Sequence, residues 1–258
     1  MKVVILAGGY GTRITEESQF KPKPMIEIGE MPILWHIMKL YSHYGFHEFV
    51  ICAGYKQHII KQYFADYFLH TSDVTFDFRN GNEMVVHHRK AEPWQVTVVD
   101  TGLETMTGGR VKRIKPYIGN EPFFLTYGDG VSDVNLSEEL EFHKNHGKMV
   151  TISSYSPRQR FGIITCDEQG QVTDFSEKPV NGENLINIGF MICQPEFVDL
   201  IEGDLDILEK APMAKALEKK ELMTYQHNGF WACMDTMREK EYLEKLWAAG
   251  QAPWKVWK

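Results

Sequence analysis

The chain has 258 residues, 43% of them hydrophobic, enough for one large core or two small ones. Its formal net charge of −7 argues against general nucleic-acid binding, which calls for a spread basic surface. No positive segment followed by a long apolar stretch opens the chain, and no window reaches about 18 uninterrupted apolar residues, so a soluble, cytoplasmic protein with no membrane partner is expected.

Val3, Val4, Ile5 and Leu6 form an unbroken apolar run, the pattern of a strand covered on both faces in a parallel sheet. Gly8, Gly9 and Gly11 follow at its C-terminal end, where open α/β sheets bind ligands and where the lack of a Cβ lets backbone N–H groups approach phosphate oxygens. The turn fits neither a Walker A loop nor a Rossmann fingerprint, since Thr12, Arg13 and Ile14 follow the last glycine. Instead, Arg13 and then Lys23, held between Pro22 and Pro24 in a segment expected to stay extended, supply two cations suited to a triphosphate.

Ile33, Leu34, Ile37, Leu40 and Tyr41 predict a helix ended by Gly45, residues 48–53 a second buried strand, and 56–69 a second helix. Residues 74–78 and 84–88 read as a hairpin around Asn80-Gly81. A further buried strand is predicted at 96–100, and Thr107-Gly108-Gly109-Arg110 opens a short helix. The apolar strand at 122–127 delivers Gly128-Asp129-Gly130 to the same sheet edge as the glycine turn. Asp129 is a candidate Mg²⁺ ligand, and because one carboxylate is an incomplete site a second is expected from far along the chain, Asp235 being the best candidate.

Beyond residue 148 strict alternation gives way to strands at 149–155, 161–167, 172–178 and 186–193, with helices near 195–202, 212–219 and 237–249. The expected fold is an α/β, Rossmann-like, three-layer domain spanning 1–258, with a mixed, mainly parallel sheet and extra strands in the second half. Its phosphate-binding part covers about 1–130 and its second part about 131–258. The four cysteines lie singly, as reduced thiols would, and the histidines form no tetrahedral metal set. Trp254 and Trp257 in the last residues call for docking on the same domain or on a neighbouring subunit.

Residues 6–13 (LAGGYGTR) and 21–25 (KPKPM), followed in order by YGDG at 127–130, FSEKP at 175–179, NIGF at 187–190 and GFWACMDT at 229–236, resemble the sugar-nucleotide pyrophosphorylases over essentially the whole chain. These nucleotidyltransferases act on sugar 1-phosphates. The resemblance implies that Leu6, Ala7, Gly8, Gly9, Gly11, Thr12, Arg13, Lys23 and Gly128 hold the nucleotide, with Thr107, Gly109 and Arg110 at the edge of its base. It implies that Tyr127, Glu177, Lys178, Asn187, Gly189 and Trp231 hold the sugar phosphate, that Asp129 and Asp235 bind Mg²⁺, and that Arg13, Lys23 and Lys178 are the catalytic cations.

The combination of KPKPM, ILWHIM, VTVVDTG and TGGR is most similar to members that use CTP and glucose 1-phosphate, and implies a homo-oligomer supplying deoxysugar or surface-polysaccharide precursors. UTP, dTTP or another sugar phosphate remain open alternatives, as does a non-catalytic sugar-nucleotide sensor.

Overall fold

In the computed structural model, which describes the chain apart from residues 80, 88–90, 158–162, 168, 170 and 177–184 and gives only the backbone at 163–166 and 174–176, the N-terminal apolar run forms β1, Val3–Ala7. Its side chains alternate between two cores. Val3, Ile5 and Ala7 pack with helix α1, Ile33–His43, while Val4 and Leu6 pack with Val111, Ile114 and Phe197 on the other face. A strand buried on both sides has no polar face to show, which is why the run is uninterrupted.

After α1 the chain continues through β2 (Glu48–Ala53), α2 (Gln57–His70), β3 (Gln95–Asp100), α3 (Thr107–Arg113) and β4 (Phe123–Tyr127). It then adds α4 (Leu136–His146), β5 (Val150–Tyr155), β6 (Ile186–Cys193), α5 (Ala211–Glu218), β7 (Leu222–His227) and α6 (Met237–Ala248). The seven strands form one sheet in the order β7-β5-β6-β4-β1-β2-β3. Only β6 runs antiparallel to its neighbours β4 and β5; every other pairing in this sheet is parallel. This is the mixed three-layer α/β architecture expected, and the extra strands of the second half include an antiparallel pair at Ile163–Cys166 and Val172–Ser176.

One local expectation is corrected. Lys23–Met25 is a 3₁₀ turn instead of extended chain, since proline is tolerated in the first turn of a helix and Pro24 sits there, while Pro22 alone is extended. In the hairpin of Asp73–Asp77 and Glu83–His87 Gly81 takes the expected positive φ and Asn82 has one as well, while Asn80 lies outside the described residues. The helix at the C-terminal end is capped by Thr236: Thr236 and Glu239 form a reciprocal capping box, so the Asp235 carboxylate is not used as the cap.

Cys52 and Cys193 are free and buried, and burial pushes the Cys52 thiol up to about 12. His36 is buried in a helix face, with Nε2 2.8 Å from the Ile28 carbonyl, and burial holds its pKa down at about 4. Around it the C-terminal tail docks on its own domain: Trp254 and Trp257 are buried, the Trp254 indole donates to His36 Nδ1 at 3.4 Å, and Trp35 packs edge-on against Trp257. Among the described residues no helix is long and apolar enough to cross a membrane.

Because Trp254 is 0% exposed, its truncation opens a cavity that the rigid β1–α1 layer cannot fill. Trp254→Ala is expected to lower stability by about 3–5 kcal/mol in urea unfolding followed by circular dichroism.

Candidate active site

The chain leaves β1 to build β2 and β3 on one side, then returns across the sheet to place β4 on the other side of β1. The C-terminal ends of β1 and β4 therefore diverge into loops at a topological switch point, where open sheets leave a crevice. Leu6 pairs with Tyr127, and the Gly128 N–H donates to the Leu6 carbonyl at 2.9 Å, so the glycine turn and Gly128-Asp129 stand side by side. A cavity of about 420 Å³ opens between them, in the size range of a small-ligand site. Gly11 sits at φ +67°, and its carbonyl accepts from Ser18 Oγ at 2.9 Å, which fixes the far end of the turn.

On one side of this cavity four charged side chains converge. Lys23 is 9% exposed, and its Nζ donates to Asp129 Oδ2 at 2.6 Å and to Asp235 Oδ1. Arg13, mostly exposed, pairs through Nη1 with Asp235 Oδ2 at 2.5 Å. Burial alone would lower the Lys23 pKa, but Asp129 and Asp235 outweigh it and the ammonium is raised above its ordinary value.

A small antiparallel ribbon, Gly130–Ser132 with Trp231–Cys233, brings the two carboxylates together. Cys233 pairs with Gly130, and the Met234 N–H donates to the Asp129 carbonyl at 2.8 Å. Residues separated by more than a hundred positions are thus held in register by backbone hydrogen bonds.

Arg110 lines the cavity at its Gly8 end. It is 5% exposed, and its guanidinium donates to Thr101 Oγ1 at 2.8 Å, to the Gly102 carbonyl at 2.7 Å and to the Leu103 carbonyl at 3.2 Å. These acceptors lie on the loop that leads into α3, so Arg110 shapes residues 101–103. Burial lowers its pKa somewhat from the usual arginine value. Gly8 is what gives it room: a Cβ there would stand 2.1 Å from Arg110 Nη1.

Leu6, Ala7, Gly8, Gly9, Gly11, Thr12, Arg13, Lys23, Thr107, Arg110, Tyr127, Gly128, Asp129 and Asp235 all line this one cavity. Thr107 does so with its hydroxyl already engaged, accepting from the Leu208 N–H at 2.8 Å and donating to Glu209 Oε2 at 3.1 Å. Gly109 does not line it; its Cα backs onto the Asp204 backbone, so close that a Cβ would sit 2.5 Å from Asp204 Cα. Asn187, Gly189 and Trp231 also lie outside the lining. Asn187 Oδ1 accepts from the Gly189 N–H at 2.8 Å, and Gly189 leaves space for the Tyr127 ring. Glu177 and Lys178 fall outside the described residues.

Tyr127 Oη and Trp231 Nε1 are buried without a hydrogen-bond partner among the described residues. The cavity also includes Tyr10, Leu103, Glu104 and Met106. Glu104 was not legible as a site residue because its position belongs to no motif, and Tyr10, inside the 6–13 motif, was given no role of its own there. Met25, outside the lining, is part of the core at 5% exposure.

Asp129 and Asp235 provide hard carboxylate oxygens beside a phosphate-sized crevice, donor chemistry that suits a divalent cation completing its shell with phosphate and water oxygens. Among the described residues no group of three or more His, Cys, Asp or Glu side chains forms a self-sufficient metal site.

Residues 2–244 match the family model described as "Nucleotidyl transferase". The chain is 52% identical over 258 residues to the glucose-1-phosphate cytidylyltransferase of Salmonella typhi, with 100% of both chains covered. It is 40% identical, again with 100% of both covered, to the probable glucose-1-phosphate cytidylyltransferase of Bacillus subtilis. Among solved structures, HddC from Yersinia pseudotuberculosis superposes with a TM-score of 0.68 at 21% identity, covering 95% of this chain and 99% of that one, a likeness of fold.

Gly8→Ala is expected to force Arg110 off its carbonyl acceptors and to destabilise the protein by about 1–3 kcal/mol in urea unfolding. In an Arg110→Ala background the same substitution should cost much less, since the clashing group is gone. Equal costs in both backgrounds would show that the two residues are not coupled.

Proposed function

Since the chain belongs to the nucleotidyl transferase family and is an enzyme of that class, we propose that it transfers the cytidylyl group of CTP to α-D-glucose 1-phosphate, giving CDP-glucose and pyrophosphate. The observation that carries the choice of substrates is the full-length likeness to the Salmonella enzyme. The geometry supports the reaction class independently, because a glycine turn, a buried ammonium and two carboxylates meet in one crevice.

The sugar phosphate is ionised at neutral pH. One of its oxygens attacks the α-phosphorus, the new O–P bond forms as the bond to pyrophosphate breaks in line, and no general base or covalent intermediate is required. The protein's work is then alignment and charge compensation. The N–H groups of the 8–12 turn line the polyphosphate. Lys23, released from its carboxylates toward the nucleotide, holds the phosphates, and Arg13 at the mouth offsets charge on the departing pyrophosphate. Asp129 and Asp235 would hold Mg²⁺, which supplies further neutralisation of the phosphates when bound.

Lys178 is assigned to the nucleophilic phosphate, with Glu177, Asn187, Gly189 and Trp231 around the sugar and Tyr127 beneath it. Thr107 and Arg110 are assigned to the side of the cavity that receives the base, and Gly109 to the close packing of α3 that positions them. Cytosine carries an amine donor where uracil carries a carbonyl, so a site that accepts from the amine leaves a polar group unpaired with UTP. A cytoplasmic homo-oligomer completes the proposal.

Pyrophosphate release measured with Mg²⁺, glucose 1-phosphate and a panel of CTP, UTP, dTTP and GTP is expected to favour CTP by at least about tenfold in kcat/KM; a preference for another nucleotide would overturn the base assignment. Lys23→Met, close in volume, is expected to lower kcat by about 100-fold or more, the range for loss of a preorganised charge. Normal turnover in that variant would refute the role of Lys23.

A further inference from the structure

The contacts around the glycine turn divide the cavity into two unlike ends. The Gly11 end adjoins Lys23, whose Cβ lies 3.3 Å from a Cβ built on Gly11, and so belongs to the cation cluster. The Gly8 end adjoins Arg110 and the loop it pins. At that second end Leu103 and Met106 expose 48% and 46% of their surface, apolar area next to a cavity that is otherwise a phosphate cradle.

Glu104 stands between them. Its Oε1 accepts from Tyr10 Oη at 2.5 Å, a bond between residues 94 positions apart that crosses from the glycine turn to the 103–106 loop. Tyr10 is itself steadied by Tyr55, with ring centroids 5.3 Å apart. A carboxylate in the lining of a polyanion site repels phosphate, and at the Gly8 end, away from the cation-holding pair Asp129 and Asp235, an acceptor-only group gains from a ligand that offers a donor. A hydrogen bond between two exposed side chains adds little to folding, so stability does not account for the arrangement. A nucleotide has one end of each kind: phosphates without donors, and a nucleoside with ribose hydroxyls and, on some bases, an exocyclic amine.

We propose that Glu104 is a specificity-determining residue that accepts a hydrogen bond from a donor on the nucleoside, with Tyr10 as the positioning residue that aims its carboxylate. The inference deepens the proposed function and rests on it. The nucleoside then lies between Leu103 and Met106, and its phosphates run along the turn toward Lys23. Tyr10 donates its only proton to one carboxylate oxygen, which leaves the second oxygen of Glu104 to receive the ligand's donor.

The test compares the full-length wild type with Glu104→Gln, a variant of the same size whose amide oxygen can still accept from Tyr10. Steady-state kinetics with glucose 1-phosphate and Mg²⁺ are run on CTP, UTP and dCTP, and equilibrium binding of each nucleotide is measured alongside. The expected result is a rise in KM and Kd for CTP of about tenfold, the fold-change of one hydrogen bond to a charged group, with kcat within about threefold. If the donor is the exocyclic amine, the CTP-to-UTP ratio collapses while CTP-to-dCTP holds; if it is the ribose 2′-hydroxyl, the reverse.

Unchanged KM, Kd and ratios in Glu104→Gln would overturn the inference while leaving the reaction assignment intact. A wild type that binds none of the three would fail the proposed function itself, and this inference with it. Tyr10→Phe should move the same ratio in the same direction by a smaller factor with an unchanged melting temperature; a change in melting temperature alone would mark Tyr10 as structural and overturn its positioning role.

Discussion

The Lys23 ammonium, nearly buried between Asp129 and Asp235, is the contact on which the rest of the site depends. A buried amine needs close negative partners to remain charged, and here it has two, at the cost of holding three distant chain segments in one place. The 3₁₀ turn of Lys23–Met25 fixes the amine, β4 delivers Asp129, and the ribbon of Trp231–Cys233 against Gly130–Ser132 brings Asp235. Removing the Lys23 ammonium would leave the Asp129 carboxylate facing the crevice without its cation, while Asp235 would keep Arg13.

The sheet explains why those segments can meet. Its strand order reverses between β1 and β4, so two loops open away from each other and a cleft forms without any side chain having to make room. The walls then differ in character. Near Gly11 the lining is ionic; near Gly8 it is Arg110 held by backbone carbonyls, with exposed apolar residues on the loop those carbonyls belong to. That asymmetry matches a ligand that is anionic at one end and flat and hydrogen-bonding at the other.

Much of this was readable from residue order. Runs such as residues 48–53 and 186–193 became strands with the expected bounds, since burial on both faces writes itself as continuous hydrophobicity. The pairing of Asp129 with Asp235 was also anticipated, through family resemblance. What brings the two together was not: the ribbon strands at Gly130–Ser132 and Trp231–Cys233 are too short to show a period of two. Helix Leu136–His146 was missed although Asn135 caps it, because its weak apolar stripe is interrupted by buried polar groups, Glu139 and His143. Gly109 belongs to a recognisable motif yet serves helix packing, and Glu104 belongs to none yet faces the cavity; one-dimensional spacing cannot tell a close approach from a ligand contact.

The most direct measurement of the account is a crystal structure of the protein with CTP and Mg²⁺. The account predicts phosphates along the 8–12 turn within hydrogen-bond reach of Lys23, the metal on Asp129 and Asp235, and the nucleoside between Leu103 and Met106 beside Glu104. Phosphates found away from Lys23, or a nucleoside seated on the Trp231 side of the crevice, would contradict it.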